Sequence, residues 1–159
     1  MFLIAHDIRS LHNVGSIFRS ADAFGVEKLY LTGYTGTPPR NEIAKTALGS
    51  QDRMPWEKRE DVLALIVELK GKGMTVVALD NREGAVDLSV FARTLSLSKG
   101  TKQSPGLALI LGSEVEGVPK EVVAACDATV EIPLPGAKRS LNVAVATGVA
   151  LFVLGRKIG

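Results

Sequence analysis

Five polar side chains, set among glycine-bearing loops, carry the chemistry this sequence could perform. Asn13, Arg19, Glu114, Ser140 and Asn142 can together bind and orient a polar ligand and an anionic group. Glycines in the loops beside them, Gly112, Gly117 and Gly136, permit close backbone approach. No loop is a known phosphate cradle. No G-x-G-x-x-G follows the first apolar run and no G-x-x-x-x-G-K occurs, so dinucleotide-fold and P-loop readings lack their parts. His6 and His12 have no spacing that suggests a metal, and none is expected. Cys126 has no placed base and is a poor nucleophile candidate. As the single cysteine it excludes an intramolecular disulfide framework and a cysteine-rich zinc site, and it fits a reduced cytoplasmic compartment.

The elements that must position these residues are legible from pattern. Phe2–Ala5 reads as a buried strand, followed by the loop HDIRSLHN. Val14–Phe24 predicts a helix, with Val14, Ile17, Phe18, Ala21 and Phe24 on one stripe, Asn13 as N-cap and Gly25 as stop. Lys28–Leu31 reads as a second strand, and Glu42–Leu48 as one or two helical turns after an irregular Gly/Pro/Thr link. Arg53–Arg59 holds the only tryptophan, Trp56, beside several charges, which suggests a surface aromatic over a core edge. Glu60–Lys70 predicts an amphipathic helix ended by Gly71 and Gly73, and Met74–Leu79 a third strand. Phe91–Gly106 shows no period and reads as mostly surface loop. Leu107–Leu111 is a continuous apolar strand of the kind buried on both faces of a parallel sheet. Pro119 opens a short helix through Ala125, and Ala128–Ile132 reads as another strand. Ile132–Gly136 cannot be helix, whereas the small apolar run after Ser140 predicts a buried helix with Ser140 at its start and Asn142 just inside.

This alternation argues an open parallel α/β sheet with helices on both faces. In such sheets ligands sit beyond the carboxyl ends of the strands. Leu79–Gly84, Gly112–Gly117 and Leu134–Ser140 all fall there, and their coincidence outweighs any one of them.

The chain of 159 residues fits one compact domain with an aliphatic core. A net charge of +2 neither demands nor excludes nucleic acid, since a small total can hide a local basic patch. The amino-terminal apolar run is too short for a signal peptide, and Leu141–Leu154 is shorter than the ~20 residues of a membrane span, so a soluble protein is expected.

Three blocks resemble the motifs of the knotted RNA ribose methyltransferases, the SpoU or TrmH class of the SPOUT superfamily. Asn13-Val14-Gly15 through Arg19-Ser20-Ala21 is similar to the first, Leu111-Gly112-Ser113-Glu114-Val115-Glu116-Gly117 to the second, and Ile132–Gly136 with Ser140-Leu141-Asn142-Val143 to the third. Each is weak alone. Three in order, spread over nearly the whole chain, are strong.

The resemblance implies an S-adenosylmethionine-dependent 2'-O-methyltransferase of tRNA or rRNA, working as a homodimer, with a C-terminal deep trefoil knot. It implies cofactor contacts around Leu79, Gly112, Ile132, Leu134 and Leu141. It makes Arg19 the catalytic residue, surrounded by Asn13, Glu114, Ser140 and Asn142. Whether Arg19 acts as base or as a cation on a developing alkoxide is open, because guanidinium holds its proton in proteins. Arg9, Arg40, Lys45, Arg53, Lys138 and Arg139 are the candidate phosphate-facing surface, each equally readable as a solvated charge. Ala144 stands where the family usually has serine. The chain begins almost at the first motif and stops after the last helix, so no separate substrate-binding domain is expected and substrate choice falls to this domain or a partner. A second reading is a catalytically idle RNA-binding module of the same fold, against which the intact five polar residues argue.

Overall fold

A computed structural model describes residues 1–98 and 106–158. Its centre is a seven-stranded parallel sheet. In chain order the strands are β1 (Phe2–His6), β2 (Lys28–Thr32), β3 (Trp56–Arg59), β4 (Thr75–Leu79), β5 (Val86–Asp87), β6 (Leu107–Leu111) and β7 (Ala128–Glu131). They lie side by side as β3-β2-β1-β6-β4-β7-β5. The helices are α1 (Leu11–Ala23), α2 (Asn41–Ala47), α3 (Ser50–Arg53), α4 (Val62–Gly71), α5 (Leu88–Ser98), α6 (Lys120–Ala125) and α7 (Val143–Ile158).

The two-residue period of the strands divides the interior into two cores. Leu3, Ala5, Leu29, Leu31, Leu109 and Leu111 face α1, α2, α5 and α7. Ile4, Tyr30, Val76, Ala78, Ala108 and Ile110 face α4 and α6. The parallel α/β sheet covered on both faces, expected from pattern, is therefore present.

Several expectations need correction. The helix after β1 begins three residues earlier than its apolar stripe implied, because the Ser10 side chain accepts from the Asn13 amide and caps it. Asn13 is thus inside the first turn, with its side chain free for other work. Gly25 does end this helix, with φ 67, its amide on the Asp22 carbonyl and that of Val26 on the Ala21 carbonyl. Asn142, not Ser140, opens α7, since its Oδ1 accepts from the amides of Ala144 and Val145 at 2.9 and 3.3 Å. Nor is α7 buried all round: Thr147, Ala150, Leu151 and Leu154 are buried, while Val145, Val149 and Phe152 are exposed.

Phe91–Ser98 is helical as part of α5 rather than loop, and residues 99–105 lie outside the described residues. Its serines and threonines hid the pattern by bonding back to the helix, Thr94 to the Val90 carbonyl and Ser96 to that of Ala92. Two edge strands, β3 and β5, carry no apolar alternation and were not expected. Lys28, Glu57, Arg59 and Glu68 form ion pairs along the β3 edge, which explains its charged sequence. Trp56 is half-buried, its ring edge-on to Phe18 at 6.4 Å.

Candidate active site

The loops after β4, β6 and β7 close on one another beyond the carboxyl ends of the central strands. After β6, the Ser113 amide donates to the Gly117 carbonyl and the Gly117 amide to that of Ser113, so the chain doubles back within five residues. Gly117 has φ 70, and a side chain there would meet the Asp80 carboxylate. A Cβ on Gly112 would lie 2.1 Å from the Gly117 carbonyl carbon. Only glycine allows this approach. Asp80, in the loop after β4, accepts from the Val118 amide at 2.8 Å and is paired with Arg82, which locks the two loops together. The loop after β7 is tied in by Asn81, whose side-chain amide donates to the Arg139 carbonyl.

Between them is a cavity of about 370 Å³. Its walls include Leu79, Gly112, Ile132, Leu134 and Leu141, together with Glu114, Ser140, Asn142 and Arg139. Asp80, Asn81, Glu116, Glu131 and Ala146 also line it and were not singled out from sequence. Asp80, Asn81 and Glu116 lie in the loops after β4 and β6 already expected at the ligand edge, Glu131 ends β7 and Ala146 lies in α7; those positions were the available signal. The lining holds four acidic residues and one arginine; Asp80 is paired with Arg82 and Glu114 is held by amides, which leaves Glu116 and Glu131 against Arg139. The cavity therefore suits a cationic or zwitterionic ligand with an apolar body.

At its mouth Glu114 bridges to α1. One carboxylate oxygen accepts from the Ser10 amide and the Asn13 side-chain amide, both at 3.0 Å; the other accepts from the Arg9 amide at 2.9 Å. Burial alone would raise its pKa, but these donors outweigh burial and hold it below the ordinary value. The Asn13 side-chain oxygen Oδ1 in turn accepts from the Asn142 side-chain amide at 3.2 Å. Glu114, Asn13 and Asn142, from three distant parts of the chain, thus form one connected network.

Arg19 is exposed on α1 and is not part of this network or of the cavity wall. Six residues separate it from Asn13, roughly 9 Å along the helix axis. Among the basic candidates, Arg9 donates from Nε to the Tyr34 hydroxyl at 3.3 Å and Arg40 lies 3.9 Å from Glu42. Arg53 is engaged by Asp22 at 2.7 Å, while Lys45, Lys138 and Arg139 are exposed.

The profile of the SpoU rRNA Methylase family matches residues 1–152. The chain is 31% identical over 152 residues to a 23S rRNA (guanosine-2'-O-)-methyltransferase of Xanthomonas axonopodis, covering 96% of this chain and 57% of that protein. It is 30% identical over 158 residues to a tRNA (guanosine(18)-2'-O)-methyltransferase of Aquifex aeolicus, covering 99% and 69% respectively. The crystal structure of an AdoMet-bound rRNA methyltransferase from Sinorhizobium meliloti superposes with a TM-score of 0.83 at 30% identity, covering 98% of this chain and 55% of that one. Against the first of these relatives, then, the chain spans a little under three fifths of the length. With the matched profile covering nearly all its residues, the chain belongs to the SpoU rRNA methylase family.

Proposed function

We propose that this chain transfers a methyl group from S-adenosylmethionine to a ribose 2'-hydroxyl of tRNA or rRNA. The observation that carries the reading is the convergence of all three motif blocks, through Asn13, Glu114 and Asn142, on one cavity. The residues fit the cofactor. Leu79, Ile132, Leu134 and Leu141 supply apolar walls for an adenine, and the carboxylate excess matches a ligand bearing ammonium and sulfonium charges. When bound, S-adenosylmethionine supplies an electrophilic methyl group.

Placement of the ribose oxygen is the protein's main contribution. Glu114, its oxygens occupied and its carboxylate ionised, serves as a scaffold and not as a proton acceptor. Ser140 and Asn142, on the cavity wall, orient the ribose by hydrogen bonds. Arg19, exposed along α1, stabilises the negative charge of the reacting oxygen and the adjoining phosphate as a cation.

The same reading includes a homodimer, a trefoil knot and a single catalytic domain. Exposed Val145, Val149 and Phe152 on α7, with Phe24 beside Phe152, supply an apolar face suited to a second copy.

The test is transfer of labelled methyl from S-adenosylmethionine to unmodified total RNA, with size fractionation and nucleoside digestion. Label in a 2'-O-methylnucleoside is expected, and the size fraction identifies tRNA or rRNA. Cofactor binding without transfer to any RNA would overturn the catalytic reading.

A further inference from the structure

Beside the cavity, at the carboxyl ends of β1 and β2, a second polar assembly has no part in the methyl-transfer site. Asp7 holds a left-handed backbone, φ 53, which is costly for a non-glycine residue. Its carboxylate lies so close to Gly33, itself at φ 61, that a Cβ there would sit 1.9 Å from Oδ1. Oδ1 accepts from the Tyr34 amide at 3.0 Å, and Oδ2 lies 3.3 Å from Nε2 of the buried His6. On the other side of the ring, Nδ1 of His6 lies 2.9 Å from the Thr32 hydroxyl. Lys58 donates to the carbonyls of Gly33 and Thr35, one on either side of Tyr34. Thr35 is buried and bonded both to the Ala5 carbonyl and to the Ile8 amide.

All of this rigidity ends in a side chain that is 57% exposed. Tyr34 is not needed to fill the core, and its hydroxyl is engaged by Arg9, whose own amide is held by Glu114. The loop therefore presents a flat aromatic ring and a guanidinium at a set position beside the mouth of the site. Strain and buried polar groups gathered to hold one exposed aromatic are features of a recognition surface rather than of a folding requirement.

We propose that Tyr34, assisted by Arg9, is a stacking platform for an unpaired nucleobase of the RNA substrate. Every base offers a π face, so such a platform selects single-stranded loops over duplex with little sequence preference. Tyr34 is a positioning residue here, acting on RNA and not on the reacting atoms.

The inference rests on the RNA-acting reading above, and the test separates the two. Binding is measured by fluorescence anisotropy with a labelled mixed-sequence single-stranded RNA of about 12 nucleotides, a length within the single-strand site-size range. The same strand annealed to its complement serves as the duplex probe. In parallel, S-adenosylmethionine is titrated by calorimetry. Tyr34→Ala is expected to weaken single-strand binding by about tenfold, with duplex binding and cofactor affinity unchanged and Tyr34→Phe close to wild type. In the transfer assay the Ala variant raises KM for RNA while kcat is retained. Wild-type single-strand affinity in Tyr34→Ala, or equal losses for single strand and duplex, would overturn the platform alone. Failure of the wild-type chain to bind any RNA would overturn it together with the RNA-acting reading.

Discussion

Under the proposed function Glu114 is a scaffold and Arg19 a catalytic cation, and single substitutions can separate the two. Glu114 is held below its ordinary pKa by the amides of Arg9, Ser10 and Asn13 against the opposing effect of burial. A depressed carboxylate contributes stability that is present above its unfolded pKa and lost as pH falls through its folded one. Glu114→Gln places an amide donor where three donors converge. It is expected to destabilise the fold by about 1–2 kcal/mol near neutral pH, the modest size reflecting an exposed carboxylate. That deficit should shrink as pH falls below the ordinary glutamate range; denaturant unfolding of both proteins from neutral to acidic pH measures it. A constant difference across that range would contradict the network's role. Arg19→Ala has no bonded partners to disturb among the described residues. It should leave melting temperature and S-adenosylmethionine affinity unchanged and lower kcat on the order of 10²–10³-fold, the size expected for losing a group that stabilises developing negative charge. Methyl-transfer kinetics alongside a cofactor titration decide this.

At the scale of elements, the close approach of Gly112 to Gly117 is the part of the cavity least tolerant of change. A methyl at position 112 would overlap backbone rather than a flexible side chain. Gly112→Ala should therefore displace the loop after β6, cost about 1–3 kcal/mol and abolish measurable S-adenosylmethionine binding by calorimetry. Retained affinity would mean that this loop does not shape the cofactor slot. The elements also explain which parts were legible beforehand. Strands β1, β4 and β6 are continuous apolar runs, and α4 shows a clear stripe between Asp61 and its glycine stop, so pattern sufficed. In α5, the serines and threonines satisfied within the helix broke the pattern. In β3, side chains paired with Lys28 and Glu68 across tertiary distance, and no local signal reports that.

At the scale of the whole molecule, α7 and α1 lie on the same side of the sheet and leave apolar surface uncovered. Val145 is 54% exposed and Val149 37%. If a second copy covers them, Val145→Glu with Val149→Glu should convert a dimer at micromolar concentration into a folded monomer in sedimentation experiments. A wild-type monomer at that concentration would remove the dimer from the reading. Among the described residues no helix is long and apolar enough to cross a membrane.

The sequence by itself determined the periodic elements, the parallel sheet and the three motif blocks, because those depend on side-chain spacing within a few residues of one another. It also located the cavity, since loops at the carboxyl ends of parallel strands necessarily share one edge. Tertiary structure alone decided that Asn13 lends its side chain to Glu114 and Asn142 instead of capping its helix. It also decided that Asp80 locks the loop after β6 to the one after β4. The exposed Tyr34 is likewise visible only with Asp7, Lys58 and Arg9 around it. Each of these rests on hydrogen bonds between residues tens to more than a hundred positions apart, and a bond of that kind exists only after the strands have been ordered in the sheet.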